Sequence, residues 1–124
     1  MARILIVDDN ADHTMALAKV LQAKGYEVRS AANGREAINQ VLSNVPDVVV
    51  LDLLMPEMDG ASFLEVVRSY VRLQAIPVVV LTGVPESPLM DRTRASRVNA
   101  ILAKGKARTE DIEKAIQEAL VTTN

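Results

Sequence analysis

Five side chains in this sequence have the types to do chemistry together: the adjacent carboxylates of Asp8 and Asp9, the carboxylate of Asp52, the hydroxyl of Thr82 and the ammonium of Lys104. Carboxylates crowded within a few ångströms repel one another, and the usual remedies are a retained proton or a divalent cation. All the candidate ligands here are hard oxygens, so without nitrogen or sulfur beside them Mg²⁺ suits the set better than zinc. Mg²⁺ accepts one or two carboxylates and keeps waters that a phosphate oxygen can replace. A lysine ammonium and a threonine hydroxyl are complementary donors for the oxygens of a phosphoryl group. An ionised aspartate such as Asp52 can attack phosphorus without a separate general base, giving an acyl phosphate. Taken singly, each residue has an ordinary role. Asp8 and Asp9 could cap a helix, Asp52 a turn; Thr82 could be a strand-end hydroxyl and Lys104 a solvated lysine.

The chemistry therefore depends on elements that bring all five to one place. Val48 to Leu51 is a short apolar run rich in β-branched residues, the pattern of a strand covered on both faces, and Asp52 follows it at once. Arg3 to Val7 is a similar run ending in Asp8-Asp9-Asn10, a cluster of turn and cap formers. Leu17, Val20 and Leu21 recur at helical spacing, which predicts a helix over roughly Ala11 to Lys24, stopped by Gly25 as a left-handed C-cap. Glu27 to Ala31 is a weaker strand whose charges suit a sheet edge. Asn33 followed by Glu36 resembles a capping box, opening a helix to about Asn44 that carries Ile38, Val41 and Leu42. After the central strand, Asp59 is placed to cap a helix with Phe63, Leu64, Val67 and Val71 on one face.

Pro77 opens a second buried strand, Val78 to Leu81, which delivers Thr82-Gly83. Pro85 and Pro88 mark a loop before an arginine-bearing helix, about Leu89 to Val98. Ala100 to Ala103 is a short last strand ending in Lys104-Gly105, and Ile112, Ala115, Ile116, Ala119 and Leu120 predict a final helix from about Thr109 to Val121. Strands and helices in strict alternation predict an α/β fold, a five-stranded parallel sheet with five helices packed on both faces. In such a doubly wound sheet every strand points the same way, so Asp8, Asp9, Asp52, Thr82 and Lys104 share one rim.

Composition narrows the classes further. The 124 residues make one domain, residues 1–124, large enough for a core without disulfides. The chain has no cysteine, which excludes thiolate metal sites, and its single histidine, His13, cannot build a zinc site alone. The first apolar run is too short for a signal peptide and charges interrupt every hydrophobic stretch, so a soluble, cytoplasmic chain is expected with no membrane partner. With 14 Lys plus Arg against 16 Asp plus Glu, and only Tyr26, Phe63 and Tyr70 as aromatics, nothing advertises a nucleic-acid surface.

The set Asp8-Asp9, Asp52 with Met55-Pro56 and Asp59-Gly60 behind it, Thr82, and Lys104 resembles the receiver domain of two-component response regulators, over essentially the whole chain. The intervals of 30 residues from Asp52 to Thr82 and 22 from Thr82 to Lys104 are those of chemotaxis-type receivers. The resemblance implies the flavodoxin-like strand order 2-1-3-4-5. It implies that Asp52 takes a phosphoryl group from the phosphohistidine of a sensor histidine kinase or a histidine phosphotransfer protein. It further implies that Asp9, Asp52 and the backbone carbonyl of Leu54 bind Mg²⁺ directly while Asp8 helps through water, and that Thr82 and Lys104 contact the phosphoryl group. His13, on the first turn of helix one, is expected to be an ordinary exposed helical histidine, since the donor histidine belongs to the partner in this family. No enzyme activity beyond self-phosphorylation and slow self-dephosphorylation is expected.

Three departures from the family pattern stand out. Receivers commonly have a proline after the active-site lysine, joined by a cis bond. Gly105 stands there instead, and a trans bond with glycine absorbing unusual dihedrals is expected. Many receivers carry an inward-turning aromatic three residues before the lysine; here it is Ile101, so readout is expected through helix four and its loop. Leu54 sets an apolar side chain beside the phosphoryl site, where it should hinder an attacking water, and Gly83 should keep the entrance open. Leu54 also disfavours an aspartyl-phosphate hydrolase, which commonly has a second Asp at that place. A flavin-binding protein is disfavoured by carboxylates where a phosphate cradle would be. The expected function is a phosphorylation switch without an output domain, as a monomer or a phosphorylation-dependent dimer. Its target would dock on helix four, strand five and helix five, where Arg92, Arg94, Arg97, Lys106 and Arg108 gather. The alternative is a phosphorylation-independent receiver-like interaction module.

Overall fold

The computed structural model describes residues 2–83 and 87–122. Strands and helices alternate throughout: β1 (Arg3–Val7), α1 (Ala11–Ala23), β2 (Glu27–Ala31), α2 (Gly34–Ser43), β3 (Val48–Leu51), α3 (Gly60–Ser69), β4 (Val78–Thr82), α4 (Leu89–Ala95), β5 (Ala100–Ala103) and α5 (Thr109–Thr122). All neighbouring strands pair in parallel, in the order β2-β1-β3-β4-β5. Register aligns the carboxyl ends: Val7 faces Leu51 across β1 and β3, and Thr82 faces Ala103 across β4 and β5. Asp8, Asp52 and Lys104 each follow such an end, which is why they share a rim.

The two-residue period of the strands sorts the core into two halves. Leu5, Val7, Val49, Leu51, Val78 and Val80 point to one face, where Ala37 and Val41 of α2, Phe63, Leu64 and Val67 of α3 and Met90 of α4 cover them. Ile4, Ile6, Val48, Val50, Val79 and Leu81 point to the other, under Leu17 and Leu21 of α1 and Ile112, Ala115, Ile116 and Ala119 of α5. Both β3 and β4 are buried along their whole length, as their unbroken apolar runs require, whereas β2 is largely exposed at an edge.

The helix starts follow the expected capping chemistry. Asn10, Asn33 and Asp59 each accept the backbone N–H three residues on, from His13, Glu36 and Ser62. The Glu36 carboxylate reaches back to the N–H of Ala32, one residue beyond the Asn33 N–H that a full capping box would use. Gly25 takes φ +96°, as expected beyond the end of α1.

Two helices stop earlier than their patterns suggest. The third ends at Ser69 because Tyr70 turns to an extended conformation, leaving Val71 85% exposed, while Leu73 is wholly buried. The fourth ends at Ala95 instead of running to Val98, and Arg97 adopts φ +62°. Arg68 explains both ends. Its guanidinium donates to the carbonyls of Ser96 at 2.8 Å and Arg97 at 2.8 Å beyond α4, and to those of Gln74 at 3.1 Å and Ile76 at 2.7 Å before β4. One side chain therefore ties two loops to the end of α3. Of the loop expected before α4, Pro85 lies outside the described residues.

Candidate functional site

Asp8 and Asp52 end β1 and β3 and are 5% and 7% exposed, while Asp9 stands open to solvent. One carboxylate oxygen from each of the three lies within 4.8 Å of the others. Lys104, the residue after β5, crosses the rim to bridge two of them. Its Nζ donates to Asp8 Oδ1 at 3.1 Å and Oδ2 at 2.9 Å, and more loosely to Asp52 Oδ2 at 3.4 Å. Backbone bonds hold the strand ends in place: Asp52 N–H donates to the carbonyl of Val7 at 2.9 Å, and Lys104 N–H to that of Thr82 at 2.8 Å. Thr82 itself has no solvent-accessible surface.

The electrostatics follow from this crowding. Burial raises the Asp52 pKa; the charge and hydrogen bond of Lys104 act against that, but Asp8 and Asp9 add repulsion and the net shift is upward. For Lys104, burial disfavours the charge, yet the carboxylates of Asp8 and Asp52 outweigh it and hold the ammonium above the ordinary lysine range. The donor set among the described residues is three carboxylates of hard oxygen, which fits Mg²⁺.

The sequence matches the family model of the response regulator receiver domain over residues 4–117. This chain is a member of that family. It is 38% identical over 100 residues to a protein-glutamate methylesterase/protein-glutamine glutaminase of Archaeoglobus fulgidus, covering 80% of this chain and 28% of that protein. It is 36% identical over 103 residues to the transcriptional regulatory protein PdtaR of Mycobacterium tuberculosis, covering 82% of this chain and 49% of that one. The chain thus spans about a quarter to a half of the length of these relatives. Among solved structures, the chemotaxis response regulator CheY4 of Vibrio cholerae superposes with a TM-score of 0.86 at 32% identity, over 97% of this chain and 99% of that one. A CheY-like receiver protein from Methanospirillum hungatei has a TM-score of 0.91 at 23% identity, over 99% and 96% of the two chains, which bears on fold alone. Receiver domains are signalling modules that generally bind Mg²⁺ at an acidic pocket, and the family implies interaction with histidine kinases or phosphotransfer partners.

The departures of this receiver have structural consequences. Gly105 takes φ +89°, the left-handed region where glycine carries no side-chain penalty, and no cis peptide occurs among the described residues. Leu54 is 52% exposed two residues past Asp52, and a Cβ added at Gly83 would meet nothing within 4 Å. Gly60 has a different duty. A Cβ there would press on the carbonyl of Asp52 and lie 2.8 Å from Leu53 Cα, so only glycine lets α3 start this close to the loop after β3.

Two expectations need correction. His13 is not a free surface histidine: its Nδ1 lies 2.9 Å from Asp8 Oδ2 and its side chain is 31% exposed. A helical side chain leans toward the N-terminus of its helix, so a histidine on the first turn of α1 hangs over the loop that carries Asp8. That lean was the available signal, and the residue type alone concealed it. The arginine-rich face is also less cationic than its composition. Arg92 turns to α3, donating to Glu65 at 2.6 and 3.0 Å and to Ser62 at 3.1 Å, and Arg108 lies near Glu110 and Asp111. Among the described residues, no helix is long and apolar enough to cross a membrane.

Proposed function

We propose that this receiver accepts a phosphoryl group on Asp52 from the phosphohistidine of a histidine kinase or histidine phosphotransfer protein, and thereby switches the binding of a target protein. The observation that carries the reading is the bridging of Asp8 and Asp52 by Lys104 beside a third carboxylate within 4.8 Å. In the transfer, an Asp52 carboxylate oxygen forms a bond to phosphorus as the phosphorus–nitrogen bond of the donor breaks. The imidazole leaves with the electron pair and takes up a proton. Asp8, Asp9, Asp52 and the Leu54 carbonyl are the residues to hold Mg²⁺, which supplies positive charge against the phosphoryl oxygens. Lys104 supplies a second positive charge to those oxygens, and the Thr82 hydroxyl a hydrogen bond.

The exposed side chains of Met15 and Leu54, at 59% and 52%, give a donor protein apolar surface near this rim. The target docks along β5 and its flanking helices. That edge strand is half-buried along its length and borders a groove lined by Lys106, Asp111, Lys114 and Glu118. The chain works in the cytoplasm beside its donor, as a monomer or a phosphorylation-dependent dimer. It turns over no substrate of its own beyond gaining and slowly losing the phosphoryl group.

The test is incubation with Mg²⁺ and a small phosphodonor or a phosphorylated histidine kinase, alongside Asp52→Asn. Stable label on the wild type alone is expected. Absence of label supports a phosphorylation-independent interaction module, and multiple-turnover phosphate release supports a hydrolase.

A further inference from the structure

The carboxylate of Asp8 is 4% exposed, yet it takes four hydrogen bonds. Its Oδ1 accepts from Asn10 N–H at 2.9 Å and from Lys104 Nζ at 3.1 Å. Its Oδ2 accepts from Lys104 Nζ at 2.9 Å and from His13 Nδ1 at 2.9 Å. Facing a carboxylate oxygen, the imidazole nitrogen is the donor and carries the proton. The histidine is held in this position by its own backbone, whose N–H donates to the capping side chain of Asn10 at 3.0 Å. Residues 8, 10 and 13 thus form one closed set of bonds at the start of α1.

The ammonium of Lys104 sits nearer Asp8 than Asp52, whose Oδ2 is at 3.4 Å. To serve a phosphoryl group on Asp52, that ammonium must loosen its hold on Asp8. A buried carboxylate stripped of a donor is costly, which would keep the lysine where it is. The observed bonds provide a way out. With Lys104 gone, Oδ1 still has Asn10 and Oδ2 still has His13, so each oxygen keeps one donor.

We propose that His13 is a positioning residue that keeps the Asp8 carboxylate bonded when Lys104 moves to the phosphoryl group, and so makes the lysine available. The inference rests on the phosphoacceptor reading and adds a residue to it. His13 touches neither the phosphorus nor Asp52; it acts through Asp8.

The test compares wild type, His13→Leu, His13→Phe and His13→Asn. Leucine and phenylalanine remove the donor, the latter keeping a planar ring; an asparagine amide nitrogen restores a donor near the position of Nδ1. With a small phosphodonor at saturating Mg²⁺, both apolar variants label about tenfold more slowly, the size of one hydrogen bond to a charged group, and asparagine recovers most of the loss. In metal-free protein, the Nζ resonance of Lys104 shifts in the apolar variants and returns toward its wild-type position in His13→Asn. The slowing also vanishes in a Lys104→Met background, because no lysine is left to release. Wild-type labelling rates in both apolar variants, failure of asparagine to rescue, or slowing that survives Lys104→Met overturns the role of His13 alone. An unlabelled wild type overturns the phosphoacceptor reading and this inference with it.

Discussion

The charge of Asp52 is disfavoured by its surroundings: burial and two neighbouring carboxylates oppose it, and Lys104 recovers only part of the cost. Because the folded chain holds this proton more tightly than the unfolded one, ionising Asp52 destabilises the fold. The destabilisation is absent below the ordinary aspartate value of about 3.9 and complete above the raised value. In metal-free buffer, Asp52→Asn therefore raises the urea midpoint at neutral pH, with the gain shrinking as pH falls toward ~3.9. A gain that is the same at both ends of that range would contradict the assignment. Leu54 bears on the fate of the proposed acyl phosphate. With Asp52 phosphorylated as proposed, its exposed side chain would shield the phosphoryl group from water, so Leu54→Asn should lose label faster than wild type in a decay assay after the donor is removed; slower loss in the variant would refute the shield. Asp8, Asp9, Asp52 and Lys104 were legible as one rim, since each lies within two residues of a strand's end and strand ends converge in a parallel sheet. His13 was not, because its contact depends on the direction of one side chain.

At the scale of elements, Arg68 links the end of α3 to the loops that enter β4 and β5. The half-buried guanidinium donates to four carbonyls, and the end of α4 is favourable for a cation because helix carbonyls there lack intrahelical partners. Arg68→Met keeps much of the apolar stem but leaves the carbonyls of Ser96 and Ile76 without this donor. A loss of about 1.5–3 kcal/mol in urea unfolding is expected, the range for hydrogen bonds to a charged group. An unchanged midpoint would show that the loops hold themselves. The same residue shows where sequence reading stops. Strand positions and the helix caps Asn10, Asn33 and Asp59 were legible because period and capping are local signals. The ends of α3 and α4 were not. Val71 and Val98 continue the apolar spacing, but the ends are set by contacts such as that from Arg68 to Ser96 and Arg97, about 30 positions away in sequence.

Across the whole molecule, the proposed function requires that a phosphoryl group at the rim change a surface that a target can detect. The usual inward-turning aromatic of β5 is replaced here by Ile101, which is half-buried against the same core as Leu89 and Val98. An aliphatic side chain packed there has no ring to swing between an exposed and a buried position. Thr82 has a different constraint. With no accessible surface, its hydroxyl would reach a phosphoryl oxygen only if the chain around it adjusts, and α4 is the next helix in sequence. That helix is seven residues long, tied to α3 by Arg92 through exposed bonds to Glu65 and Ser62, and tied at its far end by Arg68. Exposed ion pairs stabilise little, so under the proposed function the Arg92 tie would be the one to yield and the half-buried Arg68 tie the pivot. A beryllofluoride-type phosphoryl mimic with Mg²⁺ should therefore move amide signals from Ser87 to Val98, with smaller changes at Gln74 to Ile76 beside the pivot. Signals unchanged from Ser87 to Val98, alongside shifts confined to the rim, would separate occupancy of the site from the movement of α4 and refute this route.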